Sequence, residues 1–219
     1  MNLVKSAIIF LFFIGYASTF GQEINGKWIK LKNPEAYVRP SINVLEFNES
    51  KLIQYDFNEK IDSTAYKVVG DSVDMGKVIK TYKFINEDIL ELTGKATYNG
   101  RDTIMSERFL KITATKSELP ELGIQKESFS LFWNGVNNII AFNNFQSTND
   151  FQISMFKICK DVRLEKLDLM MFISVFCENK REFVFPIKNI NKKSLTVIAN
   201  GFKELNVPLK NTNHNNGYK

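Results

Sequence analysis

The sequence predicts an all-β protein: a small up-and-down antiparallel barrel followed by a second β-rich domain. Three observations predict it. Short apolar runs alternate with polar residues, as in Ile53, Tyr55 and Phe57 against Gln54 and Asp56, which is the period of a half-buried strand. The runs are separated by turn residues such as Asn48-Glu49-Ser50, Gly70-Asp71, Asn86-Glu87-Asp88 and Asn99-Gly100. Their spacing is that of a sandwich or barrel, and consecutive hairpins close most simply as an up-and-down barrel.

The first residues, "MNLVKSAIIFLFFIGYASTFGQ", place one cation (Lys5) before an apolar run from Ala7 to Ala17 and then small residues. That run is too short to span a bilayer and suits the h-region of a secretory signal, with residues 1–21 removed before Gln22. The mature protein is therefore expected outside the cytoplasm, in the periplasm or secreted. Residues 22–115 hold eight strand-like runs: "KWIKLK", "NVLEF", "KLIQYDF", "TAYKVVG", "SVDM", "VIKTYKFI", "ILELTGKAT" and "TIMSERFLKI". Residues 116–127, with Pro120 and Gly123, read as a linker or short helix.

Residues 128–210 return to a β pattern. "FSLFW-NG-VNNIIAF" is a strong hairpin signal, because Asn134-Gly135 suits a type I′ turn. "FQISMFKI", "LMMFISVFC", "REFVFPI" and "SLTVIAN" follow, with Pro186 suggesting an edge strand. The stretch from Val162 to Phe176 also admits a helix, although its Phe, Ile and Val content favours a strand. Residues 211–219 form a polar tail expected to be disordered.

Charge is balanced in residues 22–115, with 14 cations and 14 anions, whereas residues 116–219 carry 14 against 10. This surplus is dispersed, without the basic clusters and interleaved aromatics of a nucleic-acid surface, so no nucleic-acid partner is expected. Charges such as Lys51, Asp56 and Lys67 interrupt the strands and argue against an integral membrane barrel. Cys159 and Cys177 are the only cysteines, and in an oxidising compartment they form either one disulfide or two buried thiols.

The one histidine, His214, lies in the polar tail. Imidazole-based nucleophilic catalysis and a catalytic zinc site are thereby disfavoured, and no phosphate loop, EF-hand or Cys-x-x-Cys motif implies a cofactor or metal. Carboxylate chemistry survives this exclusion. Glu46, Glu91 and Glu107 lie within apolar strands, and two of them facing across a cleft would suit a glycosidase. The more economical expectation is a non-enzymatic binding protein. Tyr55, Tyr66 and Tyr82 are the candidate ligand contacts, each offering a flat body with one polar tip. The candidate partners are a small apolar ligand and an envelope protein.

Gly26-Lys27-Trp28 at the first strand, followed by the meander, resembles the lipocalin pattern. "LEFNESKLIQYDF" and "YKFINEDILELTG" resemble the strand–turn–strand units of the short lipocalin-like domains of exported bacterial proteins. The resemblance covers residues 22–115, and the Thr-Asp-Tyr loop motif of typical lipocalins is absent. In lipocalins the Trp packs at the closed barrel base under an Arg of the last strand. The resemblance thus implies a structural role for Gly26, Trp28 and Arg108, with a Trp28–Arg108 cation–π contact closing the base.

Overall fold

The structure, a computed structural model, describes residues 23–30, 43–98, 100–124, 127–133, 135–141, 146–147, 151–154, 157–198 and 203–211. The expected signal segment, His214, and the turn residues Asn99 and Asn134 lie outside the described residues.

The described residues fold almost wholly as strands, in a nearly closed barrel-shaped sheet and a second, curled half-barrel. The first sheet is built from β1 (Gly26–Lys30), β2 (Asn43–Asn48), β3 (Lys51–Asp56), β4 (Glu59–Ala65), β5 (Lys67–Val69), β6 (Ser72–Asp74), β7 (Ile79–Asn86), β8 (Ile89–Tyr98) and β9 (Arg101–Lys111). Their order is β4-β3-β2-β1-β9-β8-β7-β6-β5, every pair antiparallel. The outermost strands, β4 and β5, are separated in sequence only by Tyr66. They therefore act as one bent strand that pairs first with β3 and then changes partner to β6. Counted this way, the sheet has the eight-strand meander expected from the sequence, and the stretch "TAYKVVG" straddles the change of partner.

Alternation sorts the first sheet into two faces. Trp28, Leu45, Phe47, Leu52, Tyr66, Val73, Leu90, Leu92 and Phe109 turn inward as one buried cluster. Ile29, Val44 and Leu110 turn outward, yet they too are buried. Their cover is the second sheet.

That sheet contains β10 (Lys116–Ser117), β11 (Glu127–Trp133), β12 (Val136–Ala141), β13 (Gln146–Ser147), β16 (Asp161–Leu167), β17 (Met170–Cys177), β18 (Lys180–Ile190), β19 (Ser194–Ile198) and β20 (Glu204–Asn211). The order is β12-β11-β20-β19-β18-β17-β16-β13, with β10 parallel to β18; β14 (Phe151–Ser154) and β15 (Lys157–Cys159) form a separate hairpin. Trp133 pairs with Val136, as the expected two-residue turn requires, and Gly135 has φ 79°. The stretch open to a helix or strand reading is the β16–β17 hairpin.

Two expectations are refined here. The expected linker contributes to the second sheet and its core, since β10 (Lys116–Ser117) pairs with β18 and Ile124, in a single helical turn, joins the second core. Pro186 lies in a strand flanked on both sides. However, the β18–β19 ladder starts only at Ile187, so Pro186 has a partner strand, at Phe172, on one side alone. Pro186 thus lies beside a gap in the sheet, in a strand that is internal rather than the edge strand the sequence suggested.

A third apolar cluster joins the sheets: Ile29, Val44, Phe57 and Leu110 of the first meet Leu167, Met170, Phe172 and Ile198 of the second. Phe57 is its most constrained member. It holds φ 56° in the turn after β3, a left-handed conformation costing a non-glycine residue about 1–2 kcal/mol. Its ring is buried edge-on to Phe172, 5.3 Å between centroids, and the Arg181 guanidinium lies 4.2 Å above it. Burying a Phe side chain contributes about 1.5–3 kcal/mol, enough to offset the strain. Polar ties frame the cluster: Lys27 to Asp168 at 3.0 Å, Lys188 to Asp88 at 2.8 Å, and the Thr115 amide donating to the Leu169 carbonyl at 3.1 Å.

Candidate functional site

Gly26 and Trp28 open the barrel. Gly26 has φ 114°, which a side chain would strain, and this turns the chain into β1. Trp28 is wholly buried, and its Nε1 donates to the Ile24 carbonyl at 2.8 Å, so the indole is satisfied without a ligand. The cation over its ring is Lys111, with Nζ 5.5 Å from the centroid. This corrects the expected Trp28–Arg108 contact. Lys111 is the register partner of Trp28, whereas Arg108 has the opposite parity on β9 and donates from Nε to Glu91 at 2.7 Å.

The three tyrosines do not converge. Tyr66 is buried edge-on to Phe47, its hydroxyl donating to Asn25 Oδ1 at 3.2 Å. Tyr82 packs on the same inner cluster, against Phe84, with its hydroxyl 3.4 Å from the Gly70 carbonyl. Tyr55 has the outward parity and packs on the cluster between the sheets. Its hydroxyl donates to the Glu46 carboxylate, and that hydrogen bond, with burial second, pushes its pKa up to about 12.

The candidate carboxylates part in the same way. Leu92 of the inner cluster pairs with Glu107, so Glu107 faces inward and Glu91, adjacent to Leu92 on β8, faces outward. Glu91 accepts from Lys83 at 2.8 Å and from Arg108, and these two cations hold its pKa below the usual carboxylate value. Glu107 accepts from Lys30 at 2.5 Å and Lys80 at 2.7 Å. Burial is the largest influence on Glu107 and pushes its pKa up, but the two ammonium groups together bring it below the usual value.

The Lys30–Glu107–Lys80 trio has a definite place in the barrel. Inward rows across β7, β8 and β9 read Phe84–Leu90–Phe109, then Tyr82–Leu92–Glu107, then Lys80–Gly94–Met105. Lys80 reaches Glu107 across Gly94, where a Cβ would lie 2.8 Å from Lys80 Cγ. Glycine keeps that path open. The first row is packed apolar core, whereas the trio retains side-chain exposures of 33%, 22% and 26% for Lys30, Glu107 and Lys80. Met105, in the last row, is 47% exposed. The inner face thus changes from a filled apolar layer to an open, polar one. Lys80 shares strand parity with Tyr82 and Phe84, and Lys30 with Trp28, so alternation alone could have marked both lysines as inward.

In the second sheet, Cys159 and Cys177 are bonded, with Cα atoms 4.6 Å apart. Beside them an open groove of about 370 Å³ is lined by Lys160, Asp161, Phe176, Glu178 and Asn179. Its one aromatic ring is already occupied, since the guanidinium groups of Arg163 and Arg181 lie 4.0 and 4.9 Å from the Phe176 centroid. Among the described residues no cluster of three or more His, Cys, Asp or Glu could hold a metal ion, and no helix is long and apolar enough to cross a membrane. A scan against protein-family models returns no match for this chain, and a search of curated proteins returns none.

Proposed function

We propose that this is an exported, non-enzymatic binding protein whose lipocalin-like first barrel holds a small apolar ligand in its open end. The observation that carries the proposal is the graded inner face: Phe84, Leu90 and Phe109 form one apolar row, with Trp28 packed against Phe84. The rows beyond it, holding Tyr82 and then Lys80, Gly94 and Met105, are more accessible. Export rests on residues 1–21. The rival, a hydrolase with paired strand carboxylates, is disfavoured because Glu91 and Glu107 face opposite sides of one sheet, each beside two cations that lower its pKa. Glu46, on the outer face like Glu91, stands three strands away from it and is hydrogen-bonded to Tyr55. A glycosidase acid needs a raised pKa and a partner across a shared cleft.

Native mass spectrometry of the protein purified from its source tests this reading. A co-purifying small molecule released on unfolding is expected. A ligand-free mass, together with no saturable binding of an apolar fluorophore, would overturn it.

A second reading, an envelope interaction module, has one specific observation behind it. Ile79 and Ile104 stand 62% and 74% exposed, and Ile104, paired with Lys95, has the outward parity on β9.

A further inference from the structure

We infer that the barrel's ligand carries an anionic head group, which the Lys30 and Lys80 ammonium groups bind at the inner face. This rests on the binding-protein reading and specifies its ligand class: an apolar body ending in one carboxylate, sulfonate or phosphate. Two lysines share a single carboxylate, each engaging one Glu107 oxygen, so the trio carries a net charge of +1. Each ammonium has three donors, and Glu107 takes one of each. The groups remain partly open to solvent, with Lys30 at 33% and Lys80 at 26% exposure, so an incoming anion reaches them without unfolding the sheet.

The surroundings fit an amphiphile. Tyr82 and Leu92 share the Glu107 row, and Phe84, Leu90 and Phe109 lie one row deeper. Met105 flanks the trio on the open side. An anion set between the lysines therefore has apolar surface on both sides. Gly94 serves the same arrangement, because a larger residue there would push Lys80 off its path to the centre. Glu91 also holds two cations, but Lys83 and Arg108 lie on the outer face, 65% and 51% exposed, where solvent meets their remaining charge. On the inner face Lys30 and Lys80 are far less exposed, and the surplus cation there is what a charged ligand would complete.

Two probes with the same N-phenylnaphthylamine body separate the inference from the reading beneath it. One, 1-anilinonaphthalene-8-sulfonate, carries an anion; the other, N-phenyl-1-naphthylamine, is neutral. The sulfonate is expected to bind at least about tenfold more tightly than the neutral probe, the scale of a charge-assisted contact. Lys30→Met with Lys80→Met should remove that preference, read as the ratio of sulfonate to neutral affinity within the variant. Glu107→Gln, which frees both ammonium groups, should raise the ratio of sulfonate to neutral affinity several-fold. That variant keeps the inference falsifiable if the double lysine variant fails to fold, which circular dichroism would reveal. Equal affinity for the two probes, or a preference that survives loss of both lysines, would overturn the anionic head group and leave the binding reading standing. Failure of both probes to bind would overturn the binding reading itself.

Discussion

Strands β3 and β17 show how differently the two sheets use their faces. In β3, "KLIQYD", no residue but Leu52 is fully buried, and the strand next to it, β4, is exposed along its whole length. In β17, "MMFISVFC", all eight residues are buried. Met171, Ile173, Val175 and Cys177 enter the second core, whereas Met170 and Phe172 enter the cluster shared with the first sheet. A strand covered on one side alternates, and one covered on both reads as a continuous apolar run. The second sheet is thus the scaffold against which the barrel is held, and the barrel keeps its free surface at the end away from that contact.

The comparison is broken most forcefully at the buried aromatics. Phe172→Ala should cost about 3–5 kcal/mol and separate the unfolding of the two sheets into two transitions in urea, where the parent protein is expected to give one. Trp28→Ala should cost a similar ~3–5 kcal/mol, taken from the barrel core, without splitting the transition. A loss under about 0.5 kcal/mol in either variant would remove that residue from its assigned core. Next in size is the disulfide, which closes a sequence separation of 18 residues. Its reduction should cost about 3 kcal/mol by loop entropy, measured by denaturation with and without reductant, and should leave probe binding in the barrel unchanged.

A smaller effect is expected at Glu91, whose pKa is lowered in the fold by Lys83 and Arg108. A depressed carboxylate contributes stability that is present above its unfolded pKa and lost as pH falls through its folded one. Glu91→Gln should therefore destabilise the protein at neutral pH by about 1–3 kcal/mol and flatten the acid limb of its stability profile. An unchanged acid limb would show that the pairing does not differ between folded and unfolded chains. The smallest expected change is Lys111→Met, about 0.5–1 kcal/mol for an accessible cation over an indole. Arg108→Met offers the contrast, because its loss should track with Glu91 and be insensitive to Trp28→Phe in a double-mutant cycle.

Most strand positions were legible because periodicity and turn chemistry are local. The runs from "NVLEF" to "TIMSERFLKI" fall where β2 to β9 form, and Gly70 and Gly135 take the positive φ their turns need. Strand β20 was not legible, since "ELNVPLKN" carries a proline. Strand β16 was legible only as the favoured half of a helix-or-strand choice, because in "DVRLEKL" the alternation of Val162 and Leu164 with Arg163 and Glu165 sits in a charge-rich run. The site was readable only in part. Tyr66 and Tyr82 do join the inner cluster, but the lysines beside them were passed over because a lysine in a strand is usually a solvated one.

Local patterns in the sequence were enough to make the described residues nearly all β, to order residues 22–115 as a meander, and to mark Trp28 as a structural residue of that meander. These depend on neighbours within a few residues. Only the tertiary structure decided that Lys111 rather than Arg108 covers the indole, that Glu91 and Glu107 part to opposite faces, and that Ile29, Val44 and Leu110 are buried on the outside of the barrel. Each of those depends on the register between strands far apart in the chain. A shift of one residue in that register exchanges every inward side chain for an outward one.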